Sequence, residues 1–382
     1  MIRRTIWRFN RFSYKYLAKP ILFLISPDQT HSSMITVGSA VGKVAFLRWV
    51  MRIASKRKPD NRLIQKYHGI KFDSPVGLSA GLDKNGEIVP MIANLGFGFT
   101  EVGSVTAMQC KGNPRPWFYR LPKTQSLVVY AGLGNHGSQT IIKRIHNYPH
   151  RAFGDFPIVL SVAKTNSQKV VSVKDGIADY VTTVKRAKNE PRIKMIELNV
   201  SCPNAYGGEP FTTPISLNRL LKAVDAVGVK QPIYIKMPVD LPWDAFRTLL
   251  NVIIRHQVAG VTIANLAKDR TKVELKDVLP DSVQGNLSGK PTWQLSNDLI
   301  RQTFLNYGDR LTIIGVGGIF TAEDAYTKIR LGASLIEVIT GVIYGGSQIA
   351  IEINDGLVSL LKRDGYTNIS QAIGVDALKK HK

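Results

Sequence analysis

The chain has 382 residues, of which 44% are hydrophobic and 21% charged, a globular composition that excludes a disordered or fibrous protein. Its two cysteines, Cys110 and Cys202, are too few and too far apart for a disulfide scaffold or a cysteine metal site, so no metal is expected and a reducing compartment fits. The net charge of +23 points to an anionic surface, either a membrane or nucleic acid, with a solvated excess of no function as the bland alternative.

Residues 1–60 carry twelve Lys and Arg against Asp28 and Asp60. Within 1–19, Ile2, Ile6, Phe9, Phe12 and Tyr16 recur at spacings of three and four and so share one helical face, with Arg4, Arg8, Arg11 and Lys15 beside them. An aromatic stripe with basic flanks suits an anionic membrane surface. It carries no nucleic-acid motif, and no nucleic-acid partner is expected. An Arg-rich organellar presequence is the competing reading. Ser26–Pro27–Asp28 breaks the first helix, and Met34, Val37, Val41, Val44 and Met51 then form a second apolar stripe. Lys43, Arg48 and Arg52 interrupt the apolar segment 34–54, which argues against a transmembrane helix. Lys56–Arg57–Lys58–Pro59 marks the boundary between a helical hairpin (1–60) and the main domain (61–382).

Eight β-rich runs follow, near 76–81, 99–105, 157–163, 195–201, 232–237, 260–265, 311–318 and 335–340, alternating with helical stretches. This is the pattern of an α/β fold of the eight-stranded parallel β/α (TIM) barrel type, with loops and a small antiparallel insertion expected in 106–156. In such a barrel the chemistry sits at the carboxyl ends of the strands. Those ends carry Ser79, Ala80, Gly81, Ser104, Ser161, Asn199, Lys236, Asn265, Gly317, Gly318 and Thr340. Each alone is ordinary turn chemistry. Gly315–Gly318 and Thr340–Gly346 close the seventh and eighth runs, where this fold commonly binds phosphate.

The segments LSAGLDKNGE (78–87), GNPRPWFYRLP (112–122), ELNVSCPN (197–204), IKMP (235–238), NLSGKP (286–291) and IIGVGGI (313–319) resemble the dihydroorotate dehydrogenase family over residues 20–350. PILFLISPDQTH (20–31) resembles its quinone-using, membrane-associated branch, whose extra helices line a quinone tunnel. The resemblance implies FMN-dependent oxidation of dihydroorotate to orotate in pyrimidine biosynthesis, with electrons passed to a membrane quinone. It places the protein peripherally on the cytoplasmic face of a cell membrane, or on a mitochondrial inner membrane. FMN is expected at Ala80, Gly81, Lys84, Ser104, Asn199, Lys236, Gly289, Gly318 and Thr340. Substrate is expected at Lys84, Asn199, Asn204 and Asn265, with Cys202 as general base, and quinone at His31 and Arg120. The plain readings are that Lys236 snorkels to solvent, that the asparagines make turns, that Cys202 is a small buried hydrophobe, that His31 caps a helix and that Arg120 makes a surface ion pair.

Three departures accompany this resemblance. The quinone-using branch usually has serine at the base position, where Cys202 stands. Val129 replaces an asparagine that usually binds substrate, and Leu266 replaces a hydroxyl residue. Either Tyr130 or His136 compensates, or the substrate is a different, less polar ring handled by an FMN oxidoreductase of the same fold. A catalytically silent flavin-binding membrane module is the remaining alternative.

Overall fold

A computed structural model describes residues 9–55 and 59–379. Eight parallel strands close into a barrel in chain order: β1 (Val76–Leu78), β2 (Phe99–Val105), β3 (Ile158–Val162), β4 (Ile193–Asn199), β5 (Ile233–Met237), β6 (Val258–Ile263), β7 (Thr312–Val316) and β8 (Leu335–Val338), with β8 pairing back to β1. All eight expected runs are therefore strands. The first ends three residues early because the amides of Ala80 and Gly81 turn out of the ladder, toward the Glu101 carboxylate and the Gly103 carbonyl. The 106–156 stretch contributes the strands Phe118–Leu121 and Ser126–Val129, and Asn286–Leu287 extends them into a three-stranded antiparallel sheet over the mouth.

Strand side chains alternate between the barrel interior and the surrounding helices. On the interior face Phe99, Val159, Met195, Tyr234, Ile314 and Leu335 form an apolar layer, capped from below by Phe72. Phe72 belongs to a short hairpin, Gln65–Tyr67 with Ile70–Phe72, whose rings meet Phe99 edge-on at 5.5 Å (Phe72) and Tyr234 at 6.1 Å (His68). Gly77 makes room for this packing, since a Cβ there would lie 2.2 Å from the Phe99 ring. Two residues further along the same faces come Glu101, Ser161, Glu197, Lys236 and Glu337. The layer nearest the mouth is therefore polar, where such barrels ordinarily pack branched apolar side chains.

The N-terminal part is helical through 9–24, with a π-helical turn at Tyr14–Ala18 leading into α1 (Lys19–Leu24). Ser26 caps α2 (Pro27–Lys43), and α3 (Ala45–Ser55) follows a bend of 100° at Val44. Buried Arg48 donates to the Gly42 carbonyl at 2.7 Å, supplying a donor at the end of α2. Among the described residues no single helix is long and apolar enough to cross a membrane, although α2 and Ala45–Ile53 pass that test together as a bent pair. Ile2, Arg4, Ile6 and Arg8 of the first amphipathic stripe, and Lys56–Arg57–Lys58 at the expected boundary, lie outside the described residues.

The second apolar stripe meets the barrel only in part, through Met51, which packs against its core. Met34, Val37 and Val44 are exposed, whereas Gly38 and Gly42 are buried against Ile88, Pro90 and Met91. A Cβ on Gly38 would sit 2.9 Å from Ile88 Cγ2, so the glycine side is the one that permits close approach. Buried Asp28 ties α2 to the mouth sheet, accepting from the Trp117 amide at 3.1 Å, the Phe118 amide at 3.3 Å and Arg115 Nη1 at 3.2 Å. Asp28→Ala strands these donors, and it should cost about 1–3 kcal/mol of hairpin docking. Limited proteolysis within residues 20–45 should accelerate accordingly while the barrel resists cleavage.

Candidate active site

One cavity of about 300 Å³ runs from the polar layer of the barrel, past the strand ends, to the inner side of the hairpin. It collects Ala80, Gly81, Lys84, Ser104, Asn199, Cys202, Asn204, Lys236, Asn265, Gly289, Gly318 and Thr340 from the barrel, and His31 and Arg120 from the hairpin end. Every residue expected at the site thus lines the same space. Tyr130 and His136 do not line it. The His136 amide donates to Asn85 and its ring approaches Arg144, so neither substitutes for the missing polar groups beside Val129 and Leu266, whose side chains do line the cavity.

At the floor, Lys236 Nζ lies 3.1 Å from Glu101 Oε2 and 3.5 Å from Glu197 Oε1, with both carboxyls buried. Lys236 does not snorkel. Burial opposes its charge, but Glu101 and Glu197 outweigh that and hold the ammonium well above its ordinary range. Burial likewise opposes the Glu101 carboxylate, yet Lys236 draws it below the usual carboxylate range. Glu197 and Glu337 are pushed the other way, first by burial and then by the Glu101 charge. Both oxygens of Glu337 and Oε1 of Glu101 receive no donor among the described residues. None of these three glutamates was singled out in the sequence, although each is an acid inside an apolar strand run, the pattern that signals an inward-facing charge.

Above the floor a chain of hydrogen bonds fixes the polar wall. Ser161 Oγ donates to Glu197 Oε1 at 3.1 Å and stands 2.9 Å from Ser104 Oγ, which accepts from Asn199 Nδ2 at 2.8 Å. Asn265 Nδ2 reaches Asn199 Oδ1 at 3.0 Å and the Ser201 carbonyl at 2.8 Å, and Ser201 Oγ donates back to the Lys236 carbonyl. Asn204 Nδ2 donates to the Val129 carbonyl at 2.9 Å while its Oδ1 accepts from Asn286. Lys84 Nζ donates to the Gly81 carbonyl and lies 5.0 Å above the Phe118 ring. Burial lowers its pKa to about 8, with Asp28 working against that shift. Cys202 sits between Asn199 and Asn204 in sequence, and burial pushes its thiol up to about 12. Burial therefore disfavours the thiolate at this position.

On the opposite wall the amide N–H groups of Gly289, Gly318 and Thr340 find no acceptor in the protein among the described residues. They form a set of donors fit for a phosphate, and the same cavity is lined by Ser288, Thr292, Lys236 and Glu337. The residues present therefore fit FMN. At the hairpin end, Arg120 donates to the Ile25 carbonyl at 2.7 Å and to Thr30 Oγ1 at 3.0 Å, and its Nε receives no partner. No ion pair of Arg120 occurs among the described residues; its charge rests on helix-end carbonyls and on the Phe23 ring, 4.6 Å away. His31 Nε2 lies 3.0 Å from the Leu82 carbonyl. Burial and then Lys84 lower its pKa to about 4, so the imidazole is neutral at physiological pH, with Nε2 protonated toward Leu82 and Nδ1 left as an acceptor.

The family model for dihydroorotate dehydrogenase matches residues 62–361. The chain belongs to the dihydroorotate dehydrogenase family. It is similar to the dihydroorotate dehydrogenase (quinone) of Haloarcula marismortui, 35% identical over 94% of this chain and 98% of the relative. It is likewise similar to that of Mycolicibacterium smegmatis, 34% identical over 92% and 96%. Among solved structures, DHODH from Eimeria tenella in complex with ferulenol superposes with a TM-score of 0.74 at 25% identity, covering 87% of this chain and 94% of that one. Its ligand-free form agrees in fold, with a TM-score of 0.78 over 91% and 98%. Membership makes this chain a flavin-dependent oxidoreductase.

A protonated Cys202 thiol has a direct consequence. Alkylation of Cys202 by iodoacetamide should be slow at pH 7 and rise with each pH unit without levelling off below about pH 10, because thiolate forms only as pH approaches about 12. Peptide mapping by mass spectrometry resolves Cys202 from Cys110.

Proposed function

We propose that this protein oxidises dihydroorotate to orotate with bound FMN and passes the electrons to a membrane quinone. The observation that carries this reading is the single cavity, which joins an FMN-fitting floor and the asparagine wall to an aperture under an apolar hairpin. Bound FMN supplies the hydride acceptor and electron carrier. The amides of Gly289, Gly318 and Thr340 would hold its phosphate, and Ala80, Gly81, Lys84, Ser104, Asn199 and Lys236 would bind its ring. Lys84, Asn199, Asn204 and Asn265 orient the substrate, whose imide groups both donate and accept. Cys202 Sγ would take the carbon-bound proton as a thiolate, having first released its own proton to solvent through the cavity as substrate is seated.

Residues 1–60 serve as the lipid-facing and quinone-facing segment, and 61–382 as the FMN-binding barrel. Phe9, Phe12, Leu17, Ile21, Leu24, Phe46 and Trp49 are exposed along the N-terminal helices, interleaved with Arg11, Lys15, Lys19 and Arg52. That combination favours an anionic leaflet such as the cytoplasmic face of a cell membrane, with the protein held peripherally. At the aperture, Arg120 donates to a quinone carbonyl, and His31 Nδ1 accepts from a quinol hydroxyl.

A second reading is favoured by Val129 and Leu266, whose apolar side chains line the substrate side: the same reaction on a less polar ring. Anaerobic mixing with candidate substrates separates the readings. Dihydroorotate should bleach the flavin absorbance and yield orotate. Bleaching only by a less polar dihydro-ring would favour the second reading, and bleaching by none would favour a silent flavin module.

Cys202→Ala should slow that bleaching by about 10²–10⁴-fold while FMN content is unchanged, because the proton acceptor is lost and the phosphate donors are not. Arg120→Ala should leave bleaching by substrate intact and raise the KM for quinone. Steady-state assays with quinone and stopped-flow assays without it distinguish the two variants.

A further inference from the structure

Glu101, Glu197 and Glu337 surround a single cation, Lys236, within the barrel, and each carboxyl is no more than 1% exposed. Fully ionised, the group would bury a net charge of −2, which several kcal/mol per uncompensated ion makes untenable. Carboxyls crowded into one site hold protons instead. The hydrogen bonds apportion them. Glu101 Oε2 accepts from both Lys236 and the Ala80 amide, so Glu101 is the anion. Glu197 takes Ser161 and Lys236 on Oε1 and stands within hydrogen-bonding range of Glu101, so its proton bridges the two carboxyls. Glu337 approaches the Ser79 hydroxyl and Glu101, yet neither of its oxygens receives a well-formed hydrogen bond among the described residues, and it alone of the three glutamates lines the cavity.

The groups that face Glu337 are few. They are Ser79 from the end of β1, Glu101 from β2, Glu197 from β4 and Lys236 from β5, while β7 brings no titratable side chain. A cation already shared between Glu101 and Glu197 leaves nothing to neutralise a Glu337 carboxylate.

We propose that Glu337 is a neutral carboxylic acid in the cavity floor and a binding residue for the heteroaromatic ring of the cofactor. As an acid it offers one donor and one acceptor, the complement of a ring edge that carries N–H and C=O groups side by side, which a carboxylate could only half satisfy. The identity of that ring as FMN rests on the function proposed above; the protonation does not.

Infrared spectroscopy tests the two parts separately, on the protein as purified with flavin and again after flavin removal. Wild type at pH 7 should show carbonyl bands of protonated carboxylic acids, which shift in deuterium oxide once the flavin has been removed, and Glu337→Gln should remove one of them. Glu197→Gln should remove another. Flavin removal should move the Glu337 band more than the Glu197 band. An unchanged acid region in Glu337→Gln overturns the neutral acid. An acid band that ignores flavin removal overturns the contact. In fluorescence titrations Glu337→Leu should bind FMN about tenfold more weakly, whereas Glu337→Gln, which keeps a donor and an acceptor, should stay within about threefold of wild type. Equal affinity in Glu337→Leu also overturns the contact. Failure of wild type to bind FMN at all sinks the FMN reading and the ring contact together, and the band in Glu337→Gln still decides the protonation.

Discussion

The ion pair between Lys236 and Glu101 organises the barrel mouth. It puts a full charge of each sign in a layer that such barrels ordinarily fill with branched apolar side chains. A lone buried charge would be prohibitive, and the pair is tolerable because further hydrogen bonds complete it. Ala80 supplies one from the end of β1, Glu197 another from β4, and through Ser161 and Ser104 the network reaches Asn199. From there Asn265 and Ser201 lead back to the Lys236 carbonyl. The side chains expected to touch cofactor and substrate are thus held by one another before any ligand arrives. Such preorganisation is what electrostatic catalysis requires.

The same logic links barrel and hairpin. α2 approaches the barrel on its glycine side, and Asp28 clamps it to the mouth sheet through two amides and Arg115. Arg120, on that sheet, donates through Nη1 to the carbonyls of Phe23 and Ile25 at the end of α1. The hairpin keeps Phe12, Leu24, Phe46 and Trp49 free for another surface.

The barrel was readable in the sequence because parallel strands covered on both faces appear as short apolar runs between helical stretches. Strand-end residues followed from the fold's habit of building its site there, and all of them but Ser161 line one cavity. The acids Glu101, Glu197 and Glu337 were passed over, since a single charge in a four- to seven-residue run resembles noise until the closed barrel shows three such charges on one inner layer. The partner of the hairpin's second stripe was not legible in the sequence. Periodicity identifies an apolar face but cannot say whether protein or solvent covers it, and two glycines decided the matter. The suggested compensation by Tyr130 or His136 came from proximity in sequence to Val129, and alternation along the strand and its following turn sends both elsewhere.

The aromatic seal below the apolar layer bears on how fast the interior can respond to its surroundings. Phe72 against Phe99, Tyr67 against Phe72 and His68 against Tyr234 close the amino-terminal end of the barrel with tightly set rings. Water reaching the acidic layer must therefore come down from the mouth. Once a ring-bearing ligand lies across that passage, the hydrogens beneath it are cut off from solvent on both sides. Their isotopic composition would then record the water in which the ligand was last seated, a memory that lasts as long as the ligand stays.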